Sequence, residues 1–577
     1  MRWGLFIGWC VLLVRLAASD PDQCLLPATA RRHVLMVNQR GQYLDPAQKW
    51  KLCHGSTATN SFTYEQNIAA IRAGIVEFSQ NFKPTTQTKN PRVVLFVHGG
   101  LNSYSASQTR LKEFLNDEMI QKGFYPVLIV WNSGFISSYW EHLTSIRQGE
   151  VRPLLGPLTA PLIFPTDLAK GAVRLPLDLL GRWFNDLQTI DTPGFWDSRT
   201  LAWESLESQL QLWQHNQPRM DSNRPFLRIP KPEEATRTAG ERFLRGTTYL
   251  ITQPTKIASL PFADGLATEA WNNMIRRTKT LFQPPETYDF PRRYRRDLFK
   301  NGNKVNQQAA VDTWMARRPP TNNTTVRTIS ERKTQLTQPD GTMFQFAKEL
   351  ENWTTNRTFG PSLQWHFFGH SMGTMVLNEL FRVAPDIRAH DVTYMAAACS
   401  IRSFQESMVP YLRRQHILHT NDVQFHNLCL HRIRERDNSM DQVDLIPRGT
   451  LLNYIDDLFV QPATVTDRTL GAWENLVRAL PDLPVDLLPQ IHHVCFDLEP
   501  HLWPFSHSQQ PQDHSAFTAS YPFWEDDFVS GPKTDDERAL VAKKNPQPSV
   551  KSRPFPTQKS KPLLGPDSAR TVRKLKE

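Results

Sequence analysis

Residues 93–97, Val-Val-Leu-Phe-Val, give a strand no polar side. Side chains of a strand alternate between its two faces, so a run that is apolar at every position must be covered on both. Parallel sheets with helices on each face supply that cover. The pattern returns in "YPVLIVW" (125–131), after the helix-like "SQTRLKEFLNDEMIQKG". Ahead of both, "TYEQNIAAIRAGIVEFSQNF" spaces its apolar residues at helical intervals, and "RHVLMVNQRGQYL" reads as two strands about a Gln39–Gly41 turn. This order predicts an α/β fold with a mostly parallel sheet flanked by helices.

The alternation stops near Asn132 and resumes near Gly360. Between them lie Pro-rich apolar pieces ("VRPLLGPLTAPLIFPTDLAKGAVRLPLDLLGRWF") and basic, Trp-containing helical pieces ("EAWNNMIRRTKTLF"). Residues 151–360 are therefore expected to be one large, mainly helical cap or lid insertion, separating core halves at 20–150 and 361–530. The second half again alternates: strand "LQWHFFG", helix "MGTMVLNELFRVAP", strand "DVTYMAAACS", helix "SFQESMVPYLRR", strands "VQFHNLCLH" and "QIHHVCFDL". Residues 531–577 hold twelve Lys/Arg against five Asp/Glu, the larger part of the chain's net +10, and little apolar content. They are expected to be a disordered basic tail. No base-reading motif accompanies these charges, so nucleic acid is not an expected partner.

The N-terminus, "MRWGLFIGWCVLLVRLAASD", has a basic start, a twelve-residue apolar run and a small-x-small Ala17-Ala18-Ser19. Residues 1–19 are expected to be a signal peptide, cleaved or kept as an anchor, and the protein secreted or periplasmic. Cys24 and Cys53 sit in polar sequence suited to a disulfide in an oxidising compartment, whereas Cys399, Cys429 and Cys495 lie in apolar runs as buried thiols. No CxxC pair offers a cysteine metal site.

Chemistry concentrates in "WHFFGHSMGTMVLNELF" (365–381), where Gly369-His370-Ser371-Met372-Gly373 fits G-x-S-x-G between a strand and a helix. On that corner a serine is held in strained backbone with its Oγ projecting from the sheet, and the helix N-terminus faces any oxyanion formed there. The glycines let neighbouring backbone pass close. "FVHGGLNS" ends the preceding strand in His98-Gly99-Gly100; Gly100, with Gly99 as second choice, and Met372 are the expected oxyanion N–H donors. A serine needs a base, and the base an acid to hold its tautomer. In "RIRERDNSMDQVD", Asp437 is the first choice of acid, Asp441 its rival and Glu435 the third. Of the histidines beyond the last strand, His514 in "QPQDHSAF" suits the base better than His501 or His507, while His492 and His493 fall within the strand.

On "FVHGG", "FGHSMG" and "DHSAF", in that order, the chain resembles the α/β-hydrolase superfamily over about half its length. The resemblance implies a serine hydrolase acting on carboxylic esters, esterase or lipase, by way of an acyl-enzyme and with neither metal nor organic cofactor. The residues it implies are Ser371, His514 and Asp437, with Gly100 and Met372 at the oxyanion. Acyl transfer, thioester or amide hydrolysis on the same residues, or a non-catalytic binding protein of this fold, are the alternatives. The expected partner is a small-molecule or lipid ester, with peripheral membrane contact through the apolar stretch from Leu154 to Phe184.

Overall fold

The computed structural model describes residues 25–50, 61–84, 89–100, 102, 104–116, 119–147, 150–151, 155–187, 227–228, 254–255, 257, 264–282, 341–356, 358–359, 362–418, 423–430, 435, 449–460, 462–479, 484–496, 511, 513–519 and 523–524. The Cys24–Cys53 pair, residues 1–19 and the basic tail lie outside them.

The strands are β1 Val34–Val37, β2 Tyr43–Leu44, β3 Arg92–Val97, β4 Phe124–Trp131, β5 Ile146–Arg147, β6 Glu150–Val151, β7 Leu227–Arg228, β8 Gln364–His370, β9 Asp391–Met395, β10 Gln424–Leu430 and β11 Ile491–Phe496. Helices of two turns or more that position the site are α1 Pro27–His33, α2 Tyr64–Asn81, α3 Tyr104–Asn116, α4 Phe135–Thr144, α5 Leu155–Leu187, α6 at 264–280, α7 Thr342–Thr355, α8 Gly373–Val383 and α9 Ile401–Leu418. Nine strands form one sheet in the order β2-β1-β4-β3-β8-β9-β10-β11-β7, and β5 and β6 make a separate antiparallel hairpin. Within the sheet only the edge pairing of β1 with β2 is antiparallel. This is an α/β fold with a mostly parallel sheet, and the two expected strands about Gln39–Gly41 are its antiparallel edge.

The apolar runs are buried as their composition requires: every residue of β4 and of β9 is buried. On one face Phe367 meets Phe381 of α8, and on the other Phe368 meets Phe523, which also packs on Phe96 and Phe114 of α3. Cys399 and Cys429 are buried free thiols. The run "DVTYMAAACS" is strand only as far as Met395; Ala396 then takes a left-handed φ of 45° and turns the chain away.

Two helices from residues 151–360 join this same core. Trp271 and Met274 of α6, and Phe346, Leu350 and Trp353 of α7, belong to the hydrophobic cluster built on the sheet. A buried ionic knot holds α6 in place. Glu141 Oε2 accepts from Arg276 Nη2 (2.6 Å) and Arg277 Nε (3.0 Å). Arg277 also donates to the carbonyls of Asn132 (3.1 Å) and Ser137 (3.0 Å), and Asn273 donates to Ser138 O (3.1 Å). A planar guanidinium with several fixed donors can satisfy a carboxylate and two carbonyls together, which lets it sit in a dry interior. The Pro-rich run forms the 33-residue helix α5, and β7 adds a two-residue edge strand beside β11.

Candidate active site

Chain order reverses at β3. Its sequence successor β4 lies on one side, and β8 through β11 run outward on the other. Where a parallel sheet reverses in this way, the loops leaving the strand ends diverge and open a crevice beyond the carboxyl ends. The β3–β8 register pairs Val97 with Gly369, so His98-Gly99-Gly100 and His370-Ser371 emerge side by side at that point.

Ser371 adopts a left-handed φ of 50°, one of two non-glycine residues among those described with positive φ. That conformation costs a non-glycine residue about 1–3 kcal/mol, and the surroundings over-determine it. The Ser371 N–H donates to Met395 O (2.9 Å); its carbonyl accepts from Ala398 N (3.1 Å), Thr374 N (3.2 Å) and Thr374 Oγ1 (2.7 Å). The corner is thus tied to β9, to the loop after β9 and to the first turn of α8. Its Oγ is buried and has no hydrogen-bond partner.

The glycines around the corner follow from close approach. A Cβ on Gly373 would stand 2.2 Å from Val97 O, so the end of β3 passes directly over the start of α8. A Cβ on Gly99 would stand 2.8 Å from the Ser371 Cβ and 2.9 Å from His370 Nδ1. Gly100 faces Met372, the residue that caps α8, and Met274 of α6. Gly99 and Gly100 therefore lie against Ser371 and Met372.

His514 lies beside His370, the residue before Ser371, and its ring makes no hydrogen bond to Ser371 Oγ. His370 Nε2–H donates to the His514 carbonyl (2.9 Å), and the two rings lie 5.1 Å apart. Asp513 Oδ1 accepts from Ser515 N and Ala516 N (2.8 Å each), which shapes the turn presenting His514. Neither ring nitrogen of His514 has a hydrogen-bond partner, and burial lowers its pKa to about 4. No carboxylate among the described residues completes a triad with it. Asp437 and Asp441 lie outside the described residues, as do His501 and His507. Glu435 is described and buried, with its carbonyl accepting from Thr450 N (2.7 Å). His492 and His493 are strand residues of β11, as expected.

Two neighbours of the site escaped the motif reading. His370 occupies a variable position of G-x-S-x-G, yet it tethers the His514 loop. Its pKa is lowered to about 3, first by burial and then by repulsion from a protonated His514, so the ring is neutral, and the His514 carbonyl it bonds requires the proton on Nε2. Met274 reaches Gly100 from a helix far along the chain; only its place in an apolar helical face marked it. His98 is structural: Trp131 N–H donates to Nε2 (3.2 Å), Nδ1–H donates to Gly99 O (2.8 Å), and burial lowers its pKa to about 4.

In comparison with known proteins, no family model, no curated protein and no solved structure matches the chain.

Proposed function

We propose that this chain is a serine hydrolase that cleaves carboxylic esters through an acyl-enzyme. The observation that carries the reading is Ser371 itself, a strained, left-handed residue with an unpartnered buried Oγ at the reversal point of the sheet. Strain of this kind clusters at functional sites, and a buried hydroxyl without a partner is otherwise a net cost. In the reaction His514 takes the Ser371 proton as Oγ attacks the ester carbonyl. The amides of Gly100 and Met372 receive the oxyanion, and the protonated His514 then gives its proton to the departing alcohol. Water, deprotonated by the same histidine, releases the acid. Asp437, with Asp441 as alternative, is assigned to the imidazolium from its place in the sequence after β10.

A lipid ester is the favoured substrate class. Leu158 and Leu162, one turn apart on α5, are 76% and 71% exposed, and Trp140 and Ile136 of the neighbouring α4 also face outward. Adjacent outward apolar side chains suit a surface that rests on lipid. No helix among the described residues is long and apolar enough to cross a membrane. Action outside the cytoplasm rests on residues 1–19 alone.

The test is covalent labelling with a fluorophosphonate probe and peptide mapping. Modification at Ser371, absent in Ser371→Ala and in His514→Ala proteins that remain folded, is the expected result. Folded wild-type protein that stays unlabelled, or is labelled elsewhere, overturns the proposal.

A further inference from the structure

Among the described residues, two His–carboxylate clusters lie away from Ser371. In the first, His142 Nε2 meets Asp167 Oδ2 (3.0 Å), and Lys170 Nζ bridges Asp167 Oδ1 (3.0 Å) and Glu269 Oε1 (3.2 Å). Tyr139 OH donates to the same Asp167 (3.2 Å). A lysine already supplies the cation, so this cluster is closed.

The second is built differently. His366 of β8 and Asp391 of β9 are register partners, so their side chains leave the same face of the sheet, and His366 Nδ1 lies 2.7 Å from Asp391 Oδ2. His390 precedes Asp391, with its N–H bonded to Trp365 O (2.8 Å), and its ring is 5.1 Å from that of His366. One nitrogen of each histidine and one oxygen of Asp391 all lie within 4.8 Å of one another.

Orphaned polar atoms gather here. His366 Nε2, Asp391 Oδ1 and Thr393 Oγ1, two residues further along β9, are buried without a hydrogen-bond partner. Native interiors leave few such atoms, and several together indicate a water or an ion.

We propose that His366, His390 and Asp391 form a binding site for a divalent transition-metal ion of the zinc class. Two imidazoles with one carboxylate favour such ions over Mg²⁺ or Ca²⁺, which prefer all-oxygen ligands. Bonds of about 2.0–2.2 Å to these ligands require separations of about 3.3 Å between donor atoms in a tetrahedron, within reach of small side-chain rotations from the present spacing. His366 and Asp391 are buried while His390 is exposed, giving the ion a way in and leaving a position for water. His366 stands five residues before Ser371 on β8, about 16 Å at about 3.3 Å per residue. The ion therefore braces the bases of β8 and β9 and takes no part at the serine.

The test is calorimetric titration of the full, untagged chain with Zn²⁺, repeated on His390→Ala, Asp391→Asn and His142→Ala. One saturable site is expected, weakened at least tenfold in His390→Ala and unaltered in His142→Ala, with Mg²⁺ not competing. Zn²⁺ should also raise the melting temperature of wild type and not that of His390→Ala. Since His390 is exposed, that variant should fold even if Asp391→Asn does not. Absence of saturable binding, equal binding by His390→Ala, loss through His142→Ala instead, or effective competition by Mg²⁺ would each overturn the proposal.

Discussion

Replacing Glu141 with glutamine should destabilise the protein far more than its conservative shape suggests. The side chain of Glu141 is 10% exposed, and those of Arg276 and Arg277 are 4% and 2%. One carboxylate is therefore the shared ion-pair partner of two guanidinium groups that have almost no access to water. Glutamine keeps the size and one acceptor oxygen, but leaves both cations buried without an anion. Removing one partner of a buried pair costs about 3–5 kcal/mol, and two stranded cations place this variant at the upper end. Against a total stability of about 5–15 kcal/mol, that is a large share. The measurement is urea unfolding followed by tryptophan fluorescence, with the slope m checked for constancy so that a shifted midpoint reports stability. The knot holds the helix that places Met274 beside Gly100, so fluorophosphonate labelling of Ser371 should change in the same variant. A loss under about 1 kcal/mol would refute the reasoning, because α6 would not then be seated by this carboxylate.

Ser371→Gly should abolish labelling and stabilise the fold by about 1 kcal/mol, since glycine adopts the φ of 50° without strain; thermal unfolding of this variant beside Ser371→Ala checks it, and a lower melting temperature for the glycine protein would count against strain at the corner. The pH dependence of labelling tests His514. Burial lowers its pKa to about 4, so the neutral base is present above that value and lost below it. Labelling should be half-lost near pH 4 and not near the ordinary imidazole value of about 6.5; a midpoint at the ordinary value would mean that the ring is solvated or that a carboxylate such as Asp437 offsets its burial.

Local pattern determined much of this protein. The runs 93–97 and 125–131 had to be strands covered on both faces, and they are β3 and β4 of a parallel sheet. Ser371 between two glycines had to stand on a strand-to-helix corner, and its φ of 50° and the 2.2 Å approach of Val97 O to the Gly373 position give the physical reason. Those features are legible because periodicity and glycine spacing act over a few residues. Three others were settled by tertiary contact. The hold of His370 on the His514 loop spans 144 positions, and the Glu141–Arg276 bond spans 135. The pairing of His366 with Asp391 arises only when β8 and β9 lie in register. A hydrogen bond between distant residues leaves no periodic trace in sequence, since each residue separately reads as a polar side chain in an apolar neighbourhood. Packing decided which of these polar residues face one another, because a buried charge or ring nitrogen is stable only where the fold supplies its partner.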